Sequence, residues 1–501
     1  MRQRRRTWQT LLATTATLTV TAVALTGCGG TATEAKSTPK AAAASFEGKG
    51  PINYVSNRDA SGAANKSIEE WNAAHPEEKV TFIELPDSAD QQRQQLIQNA
   101  QIKSDTFSVL NLDVVWTSEF AANKWILPLP ADAVPTDKMI PATVNAATYR
   151  DSLVGAPYYT DGALFYFRSD LLKAAGIAAP PKTWDEMKTA CKSILALPEA
   201  AGMSCYTGQF DKNEALTVNF SEAVASAGGS IVDADGKPTV NTPEAKEGLN
   251  LLVDGFKDGL FPSDAITYLE EQGRRAFQDG KLVFMRNWPF LHASLSATDG
   301  SSKVAGKFDI TSIPGTDGPG VSTLGGRSLA ISPFTPNKAT ALEFVKFFTS
   351  EEQAQKRLAL SSRAPVYATL FADPAVVAKR PFFPTLLTSL NNAQPRPKVV
   401  QYSATTKAIQ EEAYAAITGA KDTDTALNDM QAKLTELSKQ SGSIPAVQTP
   451  RLAGRFTPAG QARCNPSEVS PHDDDDRPAR RRAARHAPTR QPAQTRQPFP
   501  R

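Results

Sequence analysis

Short apolar runs alternate with amphipathic segments along the first part of the chain. The runs at 52–55 and 80–85 have the length of buried strands, and the segments that follow them repeat apolar residues with a helical period. This order predicts an α/β sheet, on which ligands bind beyond the carboxyl ends of the strands. We therefore expect a binding edge at the polar turn 57–61, and we count Asp59 and Arg93 among the candidate ligand contacts.

The stretch 155–177 sets a tyrosine-rich turn before a compact apolar run. Tyr158, Tyr159 and Asp161 lie together at the entry to that predicted strand. The apolar face of a sugar ring lies well on a tyrosine, and a carboxylate accepts the protons of its hydroxyl groups. The turn therefore indicates a sugar site, although two packing tyrosines at a strand entry would give the same pattern.

Asp113 lies among apolar residues in the predicted strand 110–116. A carboxylate in that position either faces a ligand or caps the helix that follows. Both interpretations stay open on the sequence.

The later chain is more helical. Ser169 or Asp170 is expected to cap a short helix after the central strand, and a proline one residue after Thr242 suits the first turn of another. We predict further helices at 183–195, 213–227, 242–259, 338–360, 405–419 and 424–438.

Three more candidate contacts follow predicted strands and helices. Trp288 comes directly after the strand 281–285 and before a proline, so it is presented at a strand end where a sugar could stack, unless it plugs a helix interface. Gly326 and the glycine before it permit a ligand to approach the backbone, or simply allow a bend. Arg363 offers a planar fork of donors to paired hydroxyl groups, or pairs with an acid at the surface.

These segments resemble the family 1 extracellular solute-binding proteins, the sugar-binding components of ABC importers. The resemblance is carried by GAPYYTDGALFYFRSDLLKAAGI (155–177), PPKTWDEM (180–187), NLDVVWTSEFAANKWILPL (111–129) and the Asn-Trp-Pro at 287–289. It implies an α/β fold of the periplasmic-binding-protein type, with two lobes, a ligand cleft and several hinge crossings. The implied lobes are 51–161 with 324–365, and 162–323 with 366–440.

The resemblance also implies roles for single residues. The family's equivalent of Asp113 faces the cleft, its tryptophan at Trp288 lies against the sugar, and its arginine at Arg363 reaches the ligand in disaccharide-binding members. Relatives commonly carry an aromatic residue where this chain has Arg327. That departure removes one expected stacking face and leaves the identity of the sugar open.

The chain begins with a segment typical of export. Four arginines precede the apolar run 11–25, which is too short for an ordinary membrane span, and the segment ends Leu-Thr-Gly-Cys at Cys28. This resembles a bacterial lipobox, which implies removal of residues 1–27, lipidation of Cys28 and a flexible tether over 28–50. An ordinary signal peptide that happens to contain a cysteine is the alternative. We expect an extracytoplasmic protein held at the cell membrane by lipid alone.

Composition and charge limit the domain organisation and the kinds of binding partner that the chain can have. A chain of 501 residues with 41% hydrophobic residues can bury a large core and divide into two domains. The net charge is +3, but without the basic leader and the arginine-rich segment from residue 451 the body carries about −7, which argues against nucleic acid. Cys191 and Cys205 are expected to form a local disulfide, with two buried free thiols as the alternative. No spacing suggests a metal, and no cofactor is expected.

The segment 441–501 is rich in proline and arginine and shows no hydrophobic period, so we expect it to be disordered. It could be an electrostatic arm for a wall polymer or an artefact of reading frame.

We therefore expect, from the residues and the resemblance together, a monomer that binds a small oligosaccharide and delivers it to ABC permease subunits. The expected sugar is an α-linked glucose disaccharide of the trehalose or maltose type. Binding of another sugar or a polyol is the nearest alternative. A glycosidase using Asp113, Glu119 and Asp161 would need two carboxyl groups at a set separation, and no sequence pattern for that chemistry is present. A structural or adhesion lipoprotein would not need this lobe-crossing signature.

Overall fold

The structure is a computed structural model that describes residues 45–440, except residues 60, 234–235 and 362. The predicted leader, the lipidation of Cys28 and the predicted tail 441–501 lie outside the described residues. Within them, no helix is both long and apolar enough to cross a bilayer.

The first lobe is built on a five-stranded sheet in the order β2-β1-β3-β11-β6. β1 (Ile52–Asn57) pairs in parallel with β2 (Val80–Leu85) and with β3 (Val109–Asp113), and β11 (Gly325–Ile331) is antiparallel to both β3 and β6 (Ala156–Asp161). The carboxyl ends of β1, β3 and β6 therefore meet the start of β11 at one edge of the sheet.

The second lobe is built on a four-stranded sheet in the order β10-β7-β9-β8. β7 (Leu164–Phe167) is antiparallel to β9 (Leu282–Asn287) and to β10 (Asp309–Thr311), and β8 (Ser204–Thr207) runs parallel to β9. A small separate ladder pairs β4 (Thr148–Tyr149) with β5 (Ser152–Leu153). Apart from that ladder, the described strands divide between two sheets, as a two-lobed α/β fold requires.

The helices cover both faces of each sheet. One apolar cluster packs the helices at 89–101 and 117–122 on the first sheet. A second cluster runs from the opposite face of that sheet onto one face of the second sheet. A third packs the helices between 169 and 257 and those at 402–417 and 423–440 on the remaining face. The first eight helices are α1 (Ala63–Ala74), α2 (Ala89–Gln101), α3 (Thr117–Ala122), α4 (Pro141–Ala146), α5 (Ser169–Ala174), α6 (Trp184–Leu195), α7 (Glu214–Ser226) and α8 (Pro243–Lys257). The others are α9 (Glu270–Gln278), α10 (His292–Leu295), α11 (Lys338–Thr349), α12 (Glu351–Leu360), α13 (Pro374–Lys379), α14 (Phe383–Asn391), α15 (Tyr402–Ile417) and α16 (Thr423–Gln440).

Side-chain caps mark the starts of several helices, among them α6 and α8. The hydroxyl of Thr183 accepts the amide of Glu186 at the start of α6, and the Glu186 carboxylate accepts the Thr183 amide in return, a capping box. Thr242 caps α8, whose first residue is a proline, as the sequence predicted.

Three local predictions were wrong. The tyrosine-rich stretch 156–161 is not a turn but the strand β6, which pairs with β11. Neither Ser169 nor Asp170 caps α5, because Ser169 is already its first residue and the carboxylate of Asp170 instead accepts two hydrogen bonds, of 2.8 and 2.7 Å, from Arg168. The segment 338–360 is two helices and not one. The chain turns at Ser350, whose hydroxyl accepts the amide of Gln353 at the start of α12.

The segments that run between the two sheets are hydrogen-bonded to one another. The hydroxyl of Ser322 accepts the amide of Ala163 at 2.6 Å, in the two-residue link between β6 and β7. Gln394 donates its amide to the carbonyl of Ser322 at 2.9 Å and accepts the amide of Leu324 at 2.9 Å. These segments therefore meet at one place between the lobes. How the other parts of the chain divide between the lobes stays a prediction.

A disulfide joins Cys191 of α6 to Cys205 of β8, with Cα atoms 5.5 Å apart. Both cysteines are buried, so the bond fastens α6 to its sheet inside the second lobe.

Candidate functional site

Most of the sequence-predicted contacts lie at one edge of the first sheet. Asp59 follows β1, Asp113 ends β3, and Asp161 ends β6. Gly326 lies near the start of β11, and Trp288 follows β9 of the second sheet. This is the edge at which the strand order predicts a ligand.

A small cavity opens beside this edge, with a volume of about 20 Å³, close to that of one water molecule. Two tyrosines and two arginines dominate its wall. The lining residues are Asp59, Ser61, Ala63, Tyr158, Tyr159, Ala354, Arg357, Ser361, Arg363, Ala364 and Pro365.

Tyr158 and Tyr159 are nearly buried, with 6% and 8% of their surface exposed, and their rings meet edge to face at 5.0 Å. A guanidinium covers each ring: that of Arg357 lies 4.7 Å from the Tyr158 centroid, and that of Arg363 lies 4.7 Å from the Tyr159 centroid. Burial raises the pKa of both phenols, against the opposing effect of the neighbouring arginines. Both tyrosines therefore keep their hydroxyl protons near neutral pH.

The two arginines differ in how they are held. Arg357 is buried and donates to the carbonyl of Phe348 at 2.7 Å. Arg363 is half-buried and makes no hydrogen bond to any described residue. Burial lowers the pKa of Arg363, but Tyr159, Tyr158 and the nearby acids raise it further, so the group stays charged. Arg363 thus presents unused donors at the cavity.

Asp59 is already used by its own turn. Its carboxylate accepts the hydroxyl of Ser61 at 2.6 Å and the amide of Ala64 at 2.7 Å. Burial acts to raise the pKa of Asp59, but these hydrogen bonds outweigh it and leave the pKa below its usual value. Asp59 lines the cavity as a fixed, ionised group.

Asp161 differs from Asp59 in both its hydrogen bonding and the direction of its pKa shift. Its Oδ1 is buried, and its carboxylate has no hydrogen-bond partner among the described residues. Burial raises the pKa of Asp161 to about 7, against the opposing charges of Arg363 and Arg327. A buried acceptor without a partner costs free energy, so Asp161 is a group that a ligand hydroxyl would satisfy.

Trp288 and Asp161 lie on either side of Gly325, whose lack of a side chain lets them come close to each other. A methyl group on Gly325 would lie 3.1 Å from both Cβ of Asp161 and Cζ3 of Trp288. The indole is half-buried, and its Nε1 donates to Glu270 at 3.4 Å. The backbone carbonyl of Trp288 accepts the hydroxyl of Tyr166 at 2.7 Å. An acceptor and an aromatic ring are thus held together at the edge.

Asp113 lies in a buried ion cluster that also contains Arg93. Arg396 donates from Nη2 to Oδ1 of Asp113 at 2.8 Å and also donates to Glu214. Arg93 donates to Asp90 at 2.9 Å and lies 3.7 Å from the carboxylate of Glu214. In this structure, therefore, protein groups balance the charges of Asp113 and Arg93.

Glu214 is the centre of that cluster, although the sequence pattern did not predict a role for it. As the first residue of α7, it accepts from Tyr402 and from the hydroxyl of Thr406 at 2.8 Å, and its amide donates to Asp90 at 3.1 Å. Burial raises the pKa of Glu214, while Arg396 and Arg93 lower it. The cluster links α2 of the first lobe to α7 of the second. No local motif marks Glu214 or Arg396, because their contacts join distant parts of the chain.

The backbone conformation at Gly326 and its close approach to the neighbouring strand explain the glycine without any ligand. Its φ of 115° suits glycine, and an added Cβ would lie 2.4 Å from the carbonyl oxygen of Tyr159 on the neighbouring strand. The next residue, Arg327, turns toward α2, where it donates to Gln92 at 3.0 Å and lies 4.9 Å from the ring of Trp116. Its guanidinium is 4.0 Å from Asp113.

The described residues contain no group of histidine, cysteine and acidic side chains that could hold a metal ion.

Comparison with known proteins identifies the family to which the chain belongs. A family model described as bacterial extracellular solute-binding protein matches residues 56–355. A "Probable ABC transporter-binding protein" of Deinococcus radiodurans is 32% identical over 368 residues, which cover 72% of this chain and 86% of the relative.

Solved structures of similar shape include maltose-bound MalE3 of T. maritima, with 31% identity, a TM-score of 0.73, and coverage of 77% of this chain and 99% of that one. A solute-binding protein of Agrobacterium radiobacter K84 in complex with ribitol has 23% identity, a TM-score of 0.69, and coverage of 78% and 99%. The second likeness concerns the fold alone.

Proposed function

Since the chain belongs to the bacterial extracellular solute-binding proteins, we propose that it captures a small oligosaccharide and delivers it to the permease of an ABC transporter. The substrate class we propose is an α-linked glucose disaccharide of the maltose or trehalose type. The likeness to maltose-bound MalE3, at 31% identity, supports this class.

The observation that carries the proposal is the pair of unused polar groups at the sheet edge. The Asp161 carboxylate is an acceptor without a partner, and the Arg363 guanidinium is a donor without one among the described residues. A sugar carries vicinal hydroxyl groups that donate and accept at once, so it satisfies both. An apolar ligand would leave both unpaired, at a cost of about 1 to 3 kcal/mol for each buried group.

Aromatic contact comes from Trp288 and Tyr159. The half-buried indole lies next to Asp161, so a ring whose hydroxyl groups reach Asp161 can place its apolar face on the indole. Tyr159 and the covering Arg363 line the neighbouring cavity. Asp59, Asp113, Arg93, Tyr158 and Gly326 complete the proposed site as residues that shape it or come into contact as the lobes move.

Binding requires the lobes to part. Glu214 of α7 contacts Asp90 and Arg93 of α2, so the lobes are in contact in the arrangement described, which is the closed one. The cavity beside the first sheet, of about 20 Å³, is far too small for a sugar ring. The crossing segments at Ala163, Ser322 and Gln394 act as the hinge. Opening separates α2 from α7 and breaks the contacts of Glu214 with Asp90 and Arg93, and closure on a sugar restores them.

The cell location is part of the same proposal. Lipidation at Cys28, after removal of residues 1–27, would hold a monomeric binding protein at the outer face of the cell membrane beside its permease.

A thermal-shift screen tests the proposal. The purified mature chain is heated with maltose, trehalose, a trisaccharide, glucose and ribitol, and a ligand present at 100 times its Kd stabilises the protein by about 2.7 kcal/mol. We expect the largest shift with maltose or trehalose. A larger shift with ribitol or glucose would replace the disaccharide by a smaller substrate, and no shift with any sugar would overturn the proposal.

A further inference from the structure

Arg286 lies directly beneath the indole of Trp288. Its guanidinium carbon is 4.0 Å from the ring centroid, close enough for a cation–π contact, and the residue is only 2% exposed. One face of the indole is therefore covered by a fixed group, so a ligand would have to stack on the opposite face.

The guanidinium is held in its plane by buried partners. Arg286 donates from Nε and Nη2 to the two oxygens of Glu222, each at 2.6 Å, and from Nη1 to Gln209 at 2.8 Å. Gln209 in turn donates to the carbonyl of Arg286 at 2.9 Å. A two-pronged arginine–carboxylate pair fixes orientation as well as position.

Glu222 also reaches the segment that crosses between the lobes. Its Oε1 accepts the amide of Thr323 at 3.1 Å, one residue from Ser322 of the crossing. One buried carboxylate on α7 therefore contacts both the group beneath the indole and the segment on which the lobes move.

Stability alone does not account for this arrangement. Apolar residues of similar volume often replace a buried ion pair without loss of stability. What an apolar pair cannot supply is a planar charged surface at a set angle under the ring. An aromatic side chain that is already oriented binds more tightly, because less freedom is lost when the ligand arrives.

We propose that Arg286 and Glu222 are positioning residues that set the orientation of Trp288 for sugar contact and tie it to the interlobe crossing. This inference rests on the proposed function. Arg286 acts through the indole and does not itself touch the sugar.

The test is Arg286→Lys, which keeps the charge but loses the planar fork. Maltose affinity is measured by calorimetry for the wild type, Arg286→Lys, Trp288→Ala and the double variant. We expect Arg286→Lys to raise Kd at least tenfold when Trp288 is present and less than twofold when it is absent. An equal change in both backgrounds would overturn the proposal.

A second readout needs no ligand. The indole N–H signal of Trp288, assigned with Trp288→Phe, is followed by NMR in the unliganded protein, and we expect it to shift or broaden in Arg286→Lys. An unchanged signal would overturn the proposal. If the wild type binds no sugar, the proposed function fails while this signal still decides the positioning role.

Arg168→Lys is the matched control. Arg168 also makes a two-pronged pair, with Asp170, but it follows β7 at the end of the second sheet away from Trp288. We expect it to change neither Kd nor the indole signal. Should Arg286→Lys fail to fold, Glu222→Asp replaces it, since it keeps the charge but shortens the side chain. We expect the same Trp288-dependent rise in Kd and the same change of the indole signal, and the absence of either would overturn the proposal.

Discussion

Arg396 donates a hydrogen bond of 2.8 Å to Asp113, across 283 residues of sequence. The same guanidinium pairs with Glu214, so it balances a carboxylate from each lobe. Its side chain is only 2% exposed, which makes the three groups interdependent.

Arg396→Met should destabilise the protein strongly. The substitution leaves Asp113 and Glu214 as buried charges without this partner, and breaking a buried pair in this way costs about 3 to 5 kcal/mol. Urea denaturation measures the loss. Lys188→Met is the control, because its pair with Asp185 has exposures of 41% and 93% and exposed pairs contribute about 1 kcal/mol or less. A loss below about 1 kcal/mol for Arg396→Met would show that the cluster is not a buried ion network.

The pKa of Asp161, raised by burial to about 7, makes stability depend on pH. The folded protein holds this proton more tightly than the unfolded chain, whose aspartates titrate at about pH 4. The contribution is fully present below about pH 4 and is lost as the pH rises through about 7.

Asp161→Asn isolates that contribution. We expect the wild type to lose free energy of unfolding relative to the variant between about pH 5 and pH 8, with a slope of at most about 1.4 kcal/mol per pH unit. Urea denaturation of both proteins at the two pH values measures the difference. A difference that stays constant with pH would mean that Asp161 titrates normally.

Arg363→Met should weaken sugar binding with little effect on stability. The guanidinium makes no hydrogen bond to a described residue, and its contact with Tyr159 contributes only about 0.5 to 1 kcal/mol. A hydrogen bond from a charged donor to the sugar is worth about 1.5 to 3 kcal/mol, so Kd should rise at least about tenfold.

Arg357→Met is the paired variant from the same cavity. It removes a donor from the buried carbonyl of Phe348, so we expect a loss of about 1 to 3 kcal/mol of stability. Denaturation and maltose titration of the two variants separate the roles. If Arg363→Met lost the stability and kept the affinity, Arg363 would be a structural residue.

The sequence predicted the parts of this molecule that local pattern determines. The alternation of apolar runs and amphipathic segments indicated an α/β fold, and the cap at Thr242 marked α8 because the contacts lie within one turn of helix. Trp288 was placed at a strand end for a similar reason: a proline stops the sheet directly after it.

Long-range contacts were beyond the sequence. Glu214 lies in the predicted helix 213–227 and Arg396 in a proline-rich loop, and nothing near either residue marks it, yet the fold pairs them across 182 residues. The break at Ser350 was missed because apolar periodicity continues through it, whereas the cap that starts α12 depends on a single hydroxyl. Local pattern also could not foresee that Tyr158 would be almost covered by Arg357.

Cys28→Ala should release the protein to the medium without changing its sugar affinity. The anchor we propose is covalent lipid, and the folded lobes begin well after it. Fractionation of cells that express the variant measures its location, and calorimetry of the released protein measures Kd. Retention of the variant in the membrane fraction would contradict lipid anchoring.

Trp288→Ala separates a site residue from a core residue. The half-buried indole should contribute mainly to affinity, so we expect Kd to rise at least about tenfold with a modest loss of stability. Trp71→Ala is the control, because that indole is 3% exposed and packs in the core of the first lobe. The control should lose about 3 to 5 kcal/mol of stability with Kd nearly unchanged.

Calorimetric titration of the mature wild type and Trp288→Ala with maltose and trehalose, with free glucose assayed in the same cell, tests the central claim most directly. We expect one of the two disaccharides to bind the wild type with one site per chain, at least tenfold weaker binding to Trp288→Ala, and no release of glucose. Absence of binding heat with both sugars, equal affinity of the two proteins, or formation of glucose would contradict a sugar-capturing cleft at Trp288.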